Sequence, residues 1–170
     1  MRYYQLLPDD ILACRIPLPE EFMTINPNTL HGETPPPRTL FCRTDRYSLF
    51  PDIIAAPILL YTDEAAEIAH QYADWLEHLQ FSLYAGEKTY RYYAPLLPYI
   101  DCLAPESRVN TSKGRVELAV LRPAPIRNHS LFLIRGPAAP NIIIRLDLAE
   151  SFCFRRLRGF GLRAATLKED

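Results

Sequence analysis

Tyr90-Arg91-Tyr92-Tyr93-Ala94-Pro95-Leu96-Leu97-Pro98-Tyr99-Ile100-Asp101-Cys102-Leu103 lies just past the middle of a chain of 170 residues. Pro95 and Pro98 each lack an N–H and fix φ, which excludes them from a helix interior or the middle of a central strand. The stretch therefore reads as an extended, tyrosine-lined connector between two halves. The only long helical pattern precedes it, and a run of short strand-like segments follows. That order sets the expected fold class: α+β, a mixed, mainly antiparallel sheet packed with one long central helix and a shorter C-terminal helix.

Working back from the connector, Thr62-Asp63-Glu64 opens the helix. Thr62 can accept a hydrogen bond from a first-turn N–H, and Asp63 and Glu64 face the positive end of the helix dipole. At helical spacing, Ala65, Ile68, Ala69, Tyr72, Trp75, Leu76 and Leu79 fall on one side, and Glu67, His70, Gln71, Asp74 and His78 on the other. The pattern predicts a helix from Asp63 to about Leu79, ambiguous as far as Tyr84, with a stop at Ala85-Gly86-Glu87. Further back, Arg2 to Leu7, Thr39 to Thr44 and the Pro57-broken run from Ile53 to Tyr61 have strand character. Ile11 to Ile16 reads as a short strand or part of an irregular arm. Between Pro17 and Pro37 the six prolines (17, 19, 27, 35, 36, 37) indicate a long rigid loop laid across the surface. Pro35-Pro36-Pro37 carries polyproline character.

Beyond the connector, Ala104 to Gly114 is turn-rich. Val116 to Leu121, Ser130 to Arg135 and Asn141 to Leu146 then read as three short strands in hairpin-like antiparallel pairing. Ile142-Ile143-Ile144 has no alternation and is expected to be buried on both faces. Asp147 with Glu150 three residues on gives a capping-box spacing and a second helix to about Arg158, closed by Gly159 in a left-handed cap. Gly161 to Leu167 forms the last strand. The chain reads as a single domain, 1–170, whose possible subparts are an acidic α/β half, 1–89, and a basic β-rich half, 90–170.

Apolar residues make up 48% of the chain, ample for a core, and the net charge is −1. No basic field recruits nucleic acid or an anionic membrane. The sum conceals an asymmetry. Residues 1–100 carry 7 Lys and Arg against 13 Asp and Glu, and residues 101–170 carry 12 against 7. Neutralisation across the fold is the simplest expectation. Cys14, Cys42, Cys102 and Cys153 lack zinc-site spacing and read as buried thiols of a reducing compartment. The N-terminus lacks the apolar core of a signal peptide, and no run approaches the roughly 20 residues of a membrane span. These features point to the cytoplasm.

The residues spell out no reaction. His70, Asp74 and His78 share a helical face, but eight residues span roughly 12 Å, too far for both histidines to share one ion. The adjacency of His129 and Ser130 makes no nucleophile–base pair, and no nucleophile elbow surrounds any serine. Gly159-Phe160-Gly161 follows a helix, the wrong context for phosphate binding. Arg155, Arg156 and Arg158, flanked by Arg145 and Arg163, read as a solvated face, with Phe152, Phe154 and Leu157 on the buried side. No catalytic, metal or cofactor site is assigned, and a non-enzymatic binding protein is the expectation. Its contact surface would combine Glu67, Asp74 and Glu77 with Tyr90, Tyr92 and Tyr93, because tyrosine buries area at low entropy cost while its hydroxyl stays wet. A small hydrolase or transferase, or a scaffold subunit of a larger assembly, are the alternatives.

A family resemblance rests on three parts. They are a short aromatic N-terminal strand, the central Tyr92-Tyr93-Ala94-Pro95-Leu96-Leu97-Pro98-Tyr99-Ile100-Asp101-Cys102-Leu103, and a closing Ile142-Ile143-Ile144-Arg145-Leu146-Asp147-Leu148-Ala149-Glu150-Ser151. In these the chain resembles the small bacterial immunity proteins of polymorphic-toxin systems, in particular the "immunity protein eleven" kind. The likeness covers about the last eighty residues well and the first ninety poorly, and the Pro17–Pro37 region departs from it. What it implies is a cytoplasmic immunity protein that binds and neutralises a cognate toxin encoded by a neighbouring gene, with no cofactor.

Overall fold

A computed structural model describes residues 1–34 and 36–169. In chain order the elements are β1 (Tyr3–Pro8), α1 (Glu20–Met23), β2 (Thr39–Phe41), β3 (Ile53–Ile54), β4 (Leu60–Tyr61), α2 (Asp63–Tyr72), β5 (His78–Ala85) and β6 (Lys88–Pro95). They continue with β7 (Tyr99–Ile100), β8 (Arg108–Asn110), β9 (Arg115–Leu118), β10 (Val120–Leu121), α3 (Pro123–Ile126), β11 (Leu131–Ile134), β12 (Ile142–Arg145), α4 (Leu146–Phe154) and β13 (Phe160–Leu167). The fold is mixed α+β with mainly antiparallel strands. Six strands form one sheet in the order β10-β13-β1-β12-β11-β7, five form another in the order β2-β5-β6-β4-β3, and β8 pairs with β9.

The tyrosine-rich stretch is a strand for its first half. Tyr90 to Pro95 belongs to β6, which pairs antiparallel with β5 from His78↔Pro95 to Ala85↔Lys88 and with β4 at Tyr61↔Tyr93. Pro95 is tolerated because it is the last residue of the strand, where a missing N–H costs no ladder bond further along. Within this stretch the connector between the two sheets is reduced to Leu96 to Pro98. The expected long helix is correspondingly short. It ends at Tyr72, and the residues from His78 onward are β5. Phe81 and Leu83 are buried while Gln80 and Tyr84 are exposed, a period of two that a helix cannot satisfy. Gly86, at φ +64°, leads a Gly-x hairpin turn where the sequence suggests a helix stop.

Three apolar layers hold the sheets. α2 and α4 pack together over one face of the six-stranded sheet, where Ile68, Ala69, Leu148 and Phe152 meet Leu6, Leu133, Ile142 and Ile144. Tyr61 of β4 closes the same layer, so the two sheets share it. The opposite face of the six-stranded sheet carries Tyr3, Phe132 and Ile143 against Cys102, Leu121 and Ile126. Ile142, Ile143 and Ile144 are thus buried on both faces, as the unbroken apolar run requires. The third layer lies on the five-stranded sheet. Phe81, Leu83 and Tyr92 are covered by Phe22 and Leu30 of the proline-rich arm. That arm is not featureless: it contains α1 and a 3-10 turn at Pro27–His31. Ile11 to Ile16, offered as a strand or an irregular arm, holds only a 3-10 turn at Ala13–Arg15. The polyproline reading at residues 35–37 includes Pro35, which lies outside the described residues.

Other expectations need correction. Thr62 does not cap α2; its hydroxyl is buried without a hydrogen-bond partner. Asp147 sits inside the first turn of α4 instead of capping it, its carboxylate bound by the Arg145 guanidinium and by its own side-chain bond from Leu148 N–H. That helix ends at Phe154, and Arg156, at φ 57°, takes the left-handed position while Leu157 N–H returns to Phe152 C=O. Gly159 serves close approach: a Cβ there would lie 2.0 Å from the Ile53 carbonyl oxygen. Part of the turn-rich stretch is β8, and β10 runs parallel to β13 rather than in a hairpin. Among the described residues no helix is long and apolar enough to cross a membrane.

Candidate protein-binding surface

Glu67, Asp74 and Glu77 are all exposed, and none is within ion-pair distance of a cation among the described residues. The other two acids of α2 are engaged, Asp63 with Arg91 at 2.7 Å and Glu64 with Arg155 at 3.6 Å. The Arg91 guanidinium accordingly holds the Asp63 carboxyl below its usual range. Unpaired charge on this side is therefore carried by Glu67 in α2 and by Asp74 and Glu77 in the link to β5. Because α2 stops at Tyr72, Asp74 and His78 leave the helical face that His70 occupies. Among the described residues no group of three or more His, Cys, Asp or Glu could hold a metal ion.

The early end of α2 also decides the place of Trp75. At helical spacing it belongs to the buried stripe; in the link it is 49% exposed, while its neighbour Leu76 is buried. The indole lies edge-on to His129, with ring centroids 5.9 Å apart. Ser130 reinforces this join, its hydroxyl donating to the Tyr72 carbonyl at 3.1 Å. A large amphipathic ring thus packs against the loop that precedes β11, with a free carboxylate one residue before it in the chain and another two residues after it. Sequence periodicity hides Trp75 by extending the helix through it. The one local cue is Asp74, a poor helix former two residues past the end of α2.

The three tyrosines of β6 do not form one surface. Alternation along the strand places Tyr90 and Tyr92 on one face and Tyr93 on the other. Tyr92 is fully buried, and its hydroxyl donates to the Pro51 carbonyl at 2.6 Å. Burial pushes its phenol well above the ordinary value. Tyr90 is half-buried and stacks on Phe50 at 3.9 Å. Tyr93 is half-buried beside the Asp63–Arg91 pair and lies edge-on to His78. Tyr93 is therefore the one that shares a side of the sheet with α2.

The remaining reactive groups are dispersed. All four cysteines are free; Cys42 and Cys102 are buried, whereas Cys14 and Cys153, expected inside, are exposed. Burial pushes the Cys102 thiol up to about 11, away from thiolate chemistry. Phe154, expected on the buried side of α4, is 85% exposed. Arg145 and Arg163 do not join the Arg155–Arg158 run: Arg145 binds Asp147, and Arg163 binds Gln5. No protein-family model matches the chain, and no curated protein matches it.

Proposed function

We propose that this chain is a non-enzymatic binding protein that neutralises a cognate toxin, the role that its resemblance to immunity proteins implies, and that it meets a basic surface of that toxin. The observation that carries the reading is Trp75, half-exposed and braced by His129, between the unpaired carboxylates of Asp74 and Glu77. Glu67 extends the acidic surface along α2, and Tyr93 borders it from the sheet. Tryptophan is the residue type most enriched among energetically dominant interface positions, and carboxylates at the rim accelerate encounter with a basic partner. Tyr90 and Tyr92 lie on the opposite face of the sheet, in the layer under the proline-rich arm, and take no part in this surface. In this reading the protein acts in the cytoplasm, where the toxin would otherwise reach its target.

The test is co-expression with the product of the neighbouring gene, followed by growth measurement and copurification. Rescue of the cells together with a stable stoichiometric complex is expected. Trp75→Ala should weaken the complex by about 2 kcal/mol or more, roughly thirtyfold, and leave the unfolding midpoint of the free protein nearly unchanged. Undiminished affinity would remove this surface, and a harmless, non-binding neighbour would remove the immunity reading.

A further inference from the structure

Two of the three buried polar side chains among the described residues, Gln5 and Asn141, converge on one backbone unit, Val116 of β9. Gln5, 2% exposed, donates from Nε2 to the Val116 carbonyl at 3.0 Å. Asn141 accepts the Val116 N–H at 2.9 Å, and its amide donates to the carbonyls of Gly114 and Ala139. Both backbone groups of Val116 are therefore held by side chains rather than by a neighbouring strand. Arg163 of β13 completes the cluster: Nε donates to Gln5 Oε1 at 2.9 Å and Nη2 to the Val116 carbonyl at 2.7 Å. A long, flexible cation is thus fixed in one orientation by a buried amide. Its guanidinium has no carboxylate within ion-pair distance among the described residues.

Two concavities meet at this guanidinium. A groove of about 730 Å³ is lined by Lys113, Arg115 and Arg163 together with Asp9, Asp10 and Glu117. A smaller cavity of about 240 Å³ is lined by Arg115, Arg163, Gln5 and Asn141. The groove lining is formally balanced, three cations against three carboxylates, but two of the carboxylates are held by other donors. Glu117 is bound by Arg108 at 3.1 Å, and Asp9 accepts the N–H groups of Ile11 and Leu12. Of the three acids only Asp10 is uncommitted, whereas Lys113, Arg115 and Arg163 all lack an acidic partner among the described residues.

We propose that the junction of these concavities, with Arg163 and Arg115 as its principal ligands, is a binding site for an oxyanion, a phosphate or carboxylate group carried by a larger molecule lying in the groove. A planar guanidinium with two of its donors already committed presents its remaining N–H bonds in a fixed direction, so little side-chain entropy is lost when an anion accepts them. Arg115 immediately precedes the clamped Val116 in β9 and lines both concavities. The site is independent of the acidic surface at Trp75: it uses β1, β9 and β13 and opposite charge.

Titration of the isotopically labelled protein with sodium phosphate, and separately with sodium acetate, tests the site by NMR against sodium chloride at matched ionic strength. The reporters are the Gln5 side-chain amide and the Val116 backbone N–H. Saturable shifts at both reporters are expected with at least one oxyanion and not with chloride. Preference for phosphate identifies a phosphoryl group, and preference for acetate a carboxylate such as a peptide terminus. Arg163→Gln and Arg115→Gln should each weaken binding about tenfold. Because Arg163 also braces Val116, the Arg115→Gln variant, which breaks no hydrogen bond of the network, decides the matter if the other is poorly folded. Shifts no different from those in chloride, or an unchanged titration in Arg115→Gln, would overturn the assignment.

Discussion

His78 shows how one ring ties the candidate surface to the core. Its Nε2 lies 2.5 Å from the Tyr61 hydroxyl, and burial lowers its pKa, assisted by the nearby His70 and opposed by a backbone hydrogen bond to Leu76. Tyr61 is deeply buried with its phenol pushed upward, so it donates and the neutral imidazole accepts. Protonation would turn that acceptor into a second donor. His129, against Trp75, is shifted the same way by burial. The folded pKa lies below the unfolded value of about 6.5, so the unfolded chain binds more protons in this range. The stability contributed is complete above pH 6.5 and is lost as pH falls through the lowered folded value. Asp63 and Asp147 shift downward and take effect only below the ordinary carboxylate range. Denaturant unfolding should therefore show lower stability at pH 5.5 than at pH 7.5, and His78→Gln should reduce that difference. An identical pH dependence in the variant would refute the role of His78.

Among the elements, the proline-rich arm stands out because it supplies buried side chains to the core. Phe22 lies edge-on to Phe81 with centroids 5.8 Å apart, and Leu30 is buried in the same layer. Without the arm, one face of β5 and β6 would expose Phe81, Leu83 and Tyr92. Phe22→Ala should cost about 3–4 kcal/mol, read as a lower urea midpoint, and should expose the arm to proteolysis before the rest of the chain unfolds. Unchanged stability would mean that the arm is not integral to the fold. The prolines announce a rigid segment, but nothing local says which sheet it covers, because that depends on contacts some fifty residues away. Where burial and local pattern agree, the sequence is readable: β1, the start of α2 and the Ile142–Ile144 run. The sequence misleads at β5, where Leu76 and Leu79 continue a helical spacing that Phe81 and Leu83 then break. Tertiary pairing with β6 wins, since His78 to Ala85 finds eight partners there and a lone helical turn would find none.

At the scale of the molecule, charge is the organising asymmetry, and the fold does not cancel it through ion pairs. Of the six ion pairs among the described residues, only Arg155–Glu64 joins the acidic first hundred residues to the basic remainder. Expected neutralisation across the fold is therefore largely unmet at this range, which leaves Glu67, Asp74 and Glu77 exposed without a cation partner, and Lys113, Arg115 and Arg163 without an acidic one, among the described residues. Of the acidic residues only Glu67 lies on a helical face that periodicity could identify; Asp74 and Glu77 are exposed in the link that follows α2. Trp75 was not legible either, because its exposure follows from where α2 stops. Such an arrangement acts first on association. Exposed charges steer a partner over distances set by the Debye length, about 10 Å at 0.1 M salt. If the acidic surface recognises a basic toxin, raising the salt from 20 to 500 mM should slow association by about tenfold or more. Dissociation, governed by the desolvated contact at Trp75, should change little. Glu67→Lys, Asp74→Lys and Glu77→Lys combined should slow association at low salt and flatten its salt dependence, as stopped-flow kinetics would measure. A rate indifferent to salt in the wild type would place the toxin contact elsewhere, even if the complex itself is real.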